Sequence, residues 1–272
     1  MSLLTTDNCR TAILVGLHYR KPRFSLANFF NEILDAVSDL DNFEAQSVRK
    51  DEIIFKVGKI KVALSTQALI INSPIVVDEQ LKKHLSEKED RSGQYFYLPT
   101  SIYGQKFLEH QTLSFHKEDS NKFRRNFLSE CVEMVKLLDK IAQGLPNLRF
   151  IGIVEYYAVP LNAVTWNILE SFKKQAHIKG STNTEKKSIN RYYFPKTEKV
   201  DERCFVFNLT KPDDHKNPEA IIAGASFDFQ YIPEKPKSVA EYGGPKSMIN
   251  SLATGVEELT RDSEFLKFSD RS

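Results

Sequence analysis

The run from Leu148 to Phe172, LRFIGIVEYYAVPLNAVTWNILESF, constrains the chain most, because it reads as strand, proline turn and helix without interruption. It has an echo near the N-terminus. Thr11 to Val37, TAILVGLHYRKPRFSLANFFNEILDAV, repeats an apolar strand with Tyr at its end, a Pro, and a helix carrying Asn, Ile-Leu and an acid. This suggests an internal duplication, with halves at 1–145 and 146–272. The competing reading is that strand-Pro-helix units are common and resemble one another.

Periodicity fills in the rest. Ser25 is placed to cap a helix in which Phe29, Ile33 and Val37 recur at four-residue spacing. From Phe43 to Asn72 the period becomes alternating, with Gly58-Lys59 and Thr66-Gln67 as hairpin turns, which predicts a meander of three or four strands. Asp119 or Ser120 opens a helix whose buried stripe is Phe123, Phe127, Cys131, Met134, Leu138 and Ile141, and Gly144 with Pro146 stops it. After a strand at 148–157 and a helix at about 161–177, the polar stretch 179–187 reads as a loop. Strands follow at about 188–194, 203–210 and 220–232, then a helix bearing Met248, Leu252, Val256 and Leu259. Strand, helix, several strands and helix thus occur twice. The order predicts an α+β fold, an antiparallel sheet with helices on one face, and not a doubly wound parallel sheet. Residues 78–118 interrupt the first half as an irregular insertion, rich in aromatics between Gln94 and Phe115. That stretch suits either a partner-binding or dimer surface or a lid over the sheet.

Charge excludes a global electrostatic function, since 38 Lys and Arg against 36 Asp and Glu leave a net +2. Any anion surface must be local. Cys9, Cys131 and Cys204 are too far apart for a disulfide framework or a metal knuckle, so reduced thiols in a cytoplasmic protein are expected. MSLLTTDNCR lacks the cationic start and apolar core of a signal peptide, and no apolar run reaches the roughly 18 residues of a membrane span. No membrane partner is expected, and the sequon Asn208-Leu209-Thr210 would stay unmodified.

Three stretches carry a family likeness: Arg149 to Tyr157 (RFIGIVEYY), the strand ending Leu69-Ile70-Ile71-Asn72, and Phe227-Asp228-Phe229 ahead of a C-terminal helix. On these the chain resembles a family of uncharacterised, sporadically distributed bacterial proteins of similar length. That resemblance implies a bacterial cytosolic protein, accessory to a conflict, defence or mobile-element system. It brings no activity and no catalytic motif.

Familiar catalytic patterns fail one by one. Gly243-Gly244-Pro245-Lys246-Ser247 ends like a phosphate loop, but Pro stands where the last Gly must offer its N–H, so a helix start with Pro at its first position is the better reading. Ala223-Gly224-Ala225-Ser226 lacks the glycine and helix that a nucleophile elbow requires. The histidines at 18, 84, 110, 116, 177 and 215 are scattered, and His110 and His116 have the wrong spacing for a helical metal pair. No metal and no cofactor is expected.

Two constellations remain. Glu155 and Asp228 lie inside apolar strand runs, and Arg191 is a candidate cationic partner, so the three could form a polar catalytic pocket in the second half. The plainer reading makes them a structural ion pair or solvent-facing strand positions. Basic residues interleave with aromatics at Arg20, Lys21 and Arg23, and again at Lys187, Arg191 and Tyr192, which is what single-stranded nucleic acid binding needs. A third such cluster, Lys122 to Phe127, reads as the wet face of a helix. The sequence therefore points to an intracellular binding or accessory protein with a protein partner or a second copy of itself. The alternatives are a nucleic-acid-binding accessory protein and a hydrolase using Glu155, Asp228 and Arg191.

Overall fold

The computed structural model describes residues 10–20, 26–38, 40, 42–49, 51–76, 78, 120–160, 182–186, 189–194, 202–210 and 222–261. Its strands are β1 (Arg10–Tyr19), β2 (Phe43–Val48), β3 (Glu52–Val57), β4 (Ile60–Ser65), β5 (Ala68–Asn72), β6 (Leu148–Pro160), β7 (Thr182–Lys186), β8 (Ile189–Phe194), β9 (Glu202–Thr210) and β10 (Ile222–Ile232). The helices are α1 (Leu26–Ser38), α2 (Ser120–Ile141) and α3 (Gly244–Arg261), the last entered through a short 3-10 turn, Ala240–Tyr242. The fold is α+β.

All ten strands form one sheet in the order β2-β3-β4-β5-β1-β6-β10-β9-β8-β7, with every pairing antiparallel. The order is symmetric about the β1–β6 seam. Outward from it, each side has the last strand of its own half, then the one before, back to the second. Local hairpins account for this, because alternating segments joined by tight turns pair in succession. Gly58 takes a left-handed φ of 56° in the β3–β4 turn. The Ser65 hydroxyl accepts from the amides of Gln67 and Ala68 in the β4–β5 turn. The β1–β5, β6–β10 and β1–β6 pairings are the long-range ones, and the last joins the two sides.

Across the sheet the register aligns one apolar row: Phe55, Val62, Ile71, Val15, Ile153 and Phe229. Each is at most 1% exposed, so each contributes about 1.5–3 kcal/mol of apolar burial. The helices cover this face: α1 lies on β3 and α2, α2 on β1 and α3, and α3 on β6 and β10. Close approach of α3 depends on Gly255, where a Cβ would fall 2.3 Å from the Phe229 ring. The opposite face is also buried along the seam, at Ala12, Leu14, Val154 and Tyr156.

Boundaries follow local chemistry. Asp139 ends α2 by accepting from the Gly144 amide with its carbonyl and from the Leu145 amide with its carboxylate. Gly243 and Gly244 both have positive φ, of 82° and 87°, ahead of Pro245, which agrees with a helix start and not a phosphate loop. Two expectations need correction. The polar stretch taken as a loop contains β7, whose backbone pairs with β8 despite the side-chain polarity of TNTEK. Polar composition does not exclude an edge strand, since such an edge resists further pairing. β6 also runs on through Pro160, opposite Ile222, instead of turning there. Pro is tolerated at a strand end. The helix expected at 161–177 and the aromatic stretch 94–115 lie outside the described residues.

Candidate functional site

The chemistry of the described residues concentrates at the seam. Glu155, on β6, is completely buried on the helix-covered face. Arg10 donates from Nε to its Oε2 at 2.9 Å, and Arg124, on α2, donates from Nε to its Oε1 at 2.7 Å. The Tyr157 hydroxyl donates to Oε2 at 2.5 Å. Arg124 reaches further, to Glu257 on α3 at 2.6 Å and to the carbonyl of Ala253 at 3.2 Å. The guanidinium of Arg10 lies over the Tyr157 ring, 5.6 Å from its centre. A chain of four alternating charges thus runs from the sheet to half-exposed Glu257 and ties β1, β6, α2 and α3 together.

A backbone irregularity makes this possible. Between Arg10 and Ala12 the β1–β6 register slips, so Thr11 is an extra residue and Arg10 pairs with Tyr157. Strict alternation from Ile13 would turn Arg10 to the other face; the bulge returns it to the face of Glu155. The Thr11 hydroxyl donates to the carbonyl of Tyr156 and holds the bulge. A second slip, between His18 and Tyr19, makes Arg149 the extra residue of β6, and it places Leu148 opposite Tyr19. Each bulge is thus the second residue of its strand. At the mirrored place, Leu148 and Leu17 stand where Arg10 and Glu155 stand here, and both leucines are fully buried.

Electrostatics follow from this packing. Burial is the largest influence on Glu155 and would raise its pKa, but Arg10, Arg124 and the Tyr157 hydrogen bond overcome it and hold the carboxyl at about 2. Burial, countered by Arg10 and reinforced by Glu155, pushes the Tyr157 phenol up. Glu155 is therefore a permanent carboxylate with both oxygens engaged. Such a group positions helices and arginines and is poorly suited to exchanging a proton with a substrate.

The other residues singled out in the sequence are elsewhere. Asp228 aligns with Val154 on one side and Val206 on the other, and Val206 aligns with Arg191. That row is adjacent to the row of Glu155 and Phe227, and by the pleat it belongs to the opposite face. Asp228 accepts from the Gln230 amide at 2.9 and 3.1 Å. Arg191 is three strands from β6, about 14 Å at normal strand spacing, so it is not the partner of Glu155. Tyr192 occupies the apolar row, opposite Phe205. Arg20 is exposed just past β1, four strands from β8, about 19 Å, so the two basic-aromatic stretches do not form one surface. Lys21, Arg23 and Lys187 lie outside the described residues.

Sequence reasoning missed Arg10, Arg124, Tyr157 and Glu257. Arg124 is 8% exposed and belongs to the buried stripe, three residues before Phe127 and seven before Cys131, so it is no part of a wet face. That spacing was the available signal. Arg10 gave none, because a bulge is not encoded in alternation. Cys131 and Cys204 are buried free thiols, and no cluster of three or more His, Cys, Asp or Glu is suited to a metal among the described residues. Likewise, no described helix is long and apolar enough to cross a membrane.

No family model matches the chain, and no curated protein matches it. Among solved structures, it is similar to a rolling circle replication initiator protein from Geobacillus stearothermophilus, with 9% identity over 93% of this chain and 84% of that one and a TM-score of 0.27. A likeness at that score carries no argument about this chain's fold or function.

Proposed function

We propose that the protein works by binding a macromolecular partner and not by catalysis. The observation that carries this reading is the complete engagement of Glu155, the one carboxylate among the described residues that is fully buried. A general acid or base needs a pKa near the working pH and room for a substrate within hydrogen-bond reach. Glu155 has neither. The hydrolase alternative would need Glu155, Asp228 and Arg191 to converge, and their rows belong to opposite faces. The seam is instead built for rigidity, which suits a scaffold that presents a fixed surface.

Native mass spectrometry of untagged protein, purified gently from a lysate, tests the proposal. The expected result is a macromolecular passenger or a defined homo-oligomer. A recurrent small-molecule mass that the protein converts when resupplied, with conversion lost in Glu155→Gln while the fold persists, would overturn it.

A further inference from the structure

The end of the seam away from Arg10 collects cations on adjoining segments. Arg20 follows β1, and its amide donates to the carbonyl of Asn147 at 3.1 Å. Arg149 is extruded by the second bulge and exposed. Lys237 is bonded to Leu148 in both directions, at 2.7 and 3.2 Å, and brings exposed Lys235 with it. Arg20, Arg149 and Lys235 make no ion pair among the described residues. Of the acids nearby, Glu241 is turned onto Ser238, accepting from its amide and hydroxyl at 2.7 and 2.9 Å. Arg20, Arg149 and Lys235 are therefore available to an outside anion. Lys21 and Arg23 extend the same basic run in the sequence.

Rings accompany them. His18 stacks on Phe150 at 4.1 Å and 15°, both half-buried, with Phe150 next to the bulge residue Arg149 and His18 two residues before Arg20. Lys237 lies over half-buried Tyr242, 5.7 Å from the ring centre. His18 is neutral at physiological pH, since burial and the nearby charge of Arg149 bring its pKa down to about 4. A neutral imidazole stacks on a base without adding charge. Spaced cations beside planar groups match a single-stranded polynucleotide, with phosphates on the two arginines and Lys235 and bases on the rings. A purely acidic protein would use the cations and leave the rings idle.

We propose that this rim, centred on Arg20, Arg149 and Lys235, binds the phosphate backbone of single-stranded nucleic acid. The inference rests on the binding reading above and names its partner. It is tested by fluorescence anisotropy with a labelled mixed-sequence 20-nucleotide DNA or RNA, from 50 to 200 mM salt. About three phosphate contacts predict a log–log salt slope near −2, and Arg20→Ala with Arg149→Ala should reduce its magnitude by about 1.4 and weaken binding roughly tenfold or more at low salt. Circular dichroism and thermal melting should be unchanged, because both side chains are exposed. Tighter binding to the matching duplex, equal binding to polyglutamate, or no loss in the double variant would overturn the assignment. No binding by a protein that still carries another partner in native mass spectrometry would remove this rim and leave the binding reading intact; turnover of a small molecule would remove the binding reading.

Discussion

Replacing Glu155 with Gln removes one charge from a seam where the other charges cannot follow it into water. Arg10 and Arg124 are 7% and 8% exposed, and both direct Nε at the Glu155 carboxylate. Loss of one member of a buried ion set costs about 3–5 kcal/mol, because the remaining charges stay desolvated. Arg124 keeps Glu257 and the Ala253 carbonyl, which places Glu155→Gln toward the lower end, about 3 kcal/mol. Urea denaturation at pH 7, followed by far-UV circular dichroism, measures this as a fall in midpoint at constant slope. The mirrored place in the sheet supplies the second arm. There Leu17 and Leu148 fill equivalent positions without charge, so Arg10→Leu with Glu155→Leu should cost less than the two single changes added together. The acid limb supplies a third. The Glu155 pKa is depressed from 4.5 to about 2, so its stabilisation is complete above pH 4.5 and is lost as pH falls from there toward 2, and Glu155→Gln should flatten that limb. A penalty below about 1 kcal/mol for Glu155→Gln, or strict additivity in the leucine pair, would refute the view of the seam as a coupled buried network.

Other consequences are checkable with the same assay. His18 is held neutral in the fold, its pKa lowered from 6.5 to about 4, so the unfolded chain binds the extra proton between those values. Stability should fall as pH drops from 6.5 to 4, by roughly 3 kcal/mol, and His18→Phe should remove that dependence. Gly255→Val should destabilise by about 1–3 kcal/mol or more through overpacking, because its side chain must displace the Phe229 ring. Val15→Ala or Ile153→Ala should each cost about 2–4 kcal/mol in the same denaturation experiment, since both are fully buried in the row that crosses the sheet.

Alternation and turn chemistry made most of the architecture legible. The meander from Phe43 to Asn72, helix α2 from Ser120 and the stop at Gly144 are local decisions, settled by period, caps and glycine. The same holds for the start of α3, where Pro245 follows two glycines in left-handed conformation. The strand β7 escaped because its residues, TNTEK, offer no apolar alternation to read.

The sequence by itself determined the three described helices and the described strands other than β7, that the class would be α+β, and that Glu155 would be a carboxylate set in apolar surroundings. Only the tertiary structure decided that β1 lies beside β6, that Thr11 and Arg149 bulge, and that Arg10 and Arg124, not Arg191, meet Glu155. Periodicity acts over a few residues, whereas the partner of a buried charge is chosen by the register between strands 145 residues apart, as for Arg10 and Glu155. The same register carries Arg20 and Arg149 to one rim and leaves Asp228 on the other face. Spacing along a chain cannot carry that information, because a single extra residue reverses which way a side chain points.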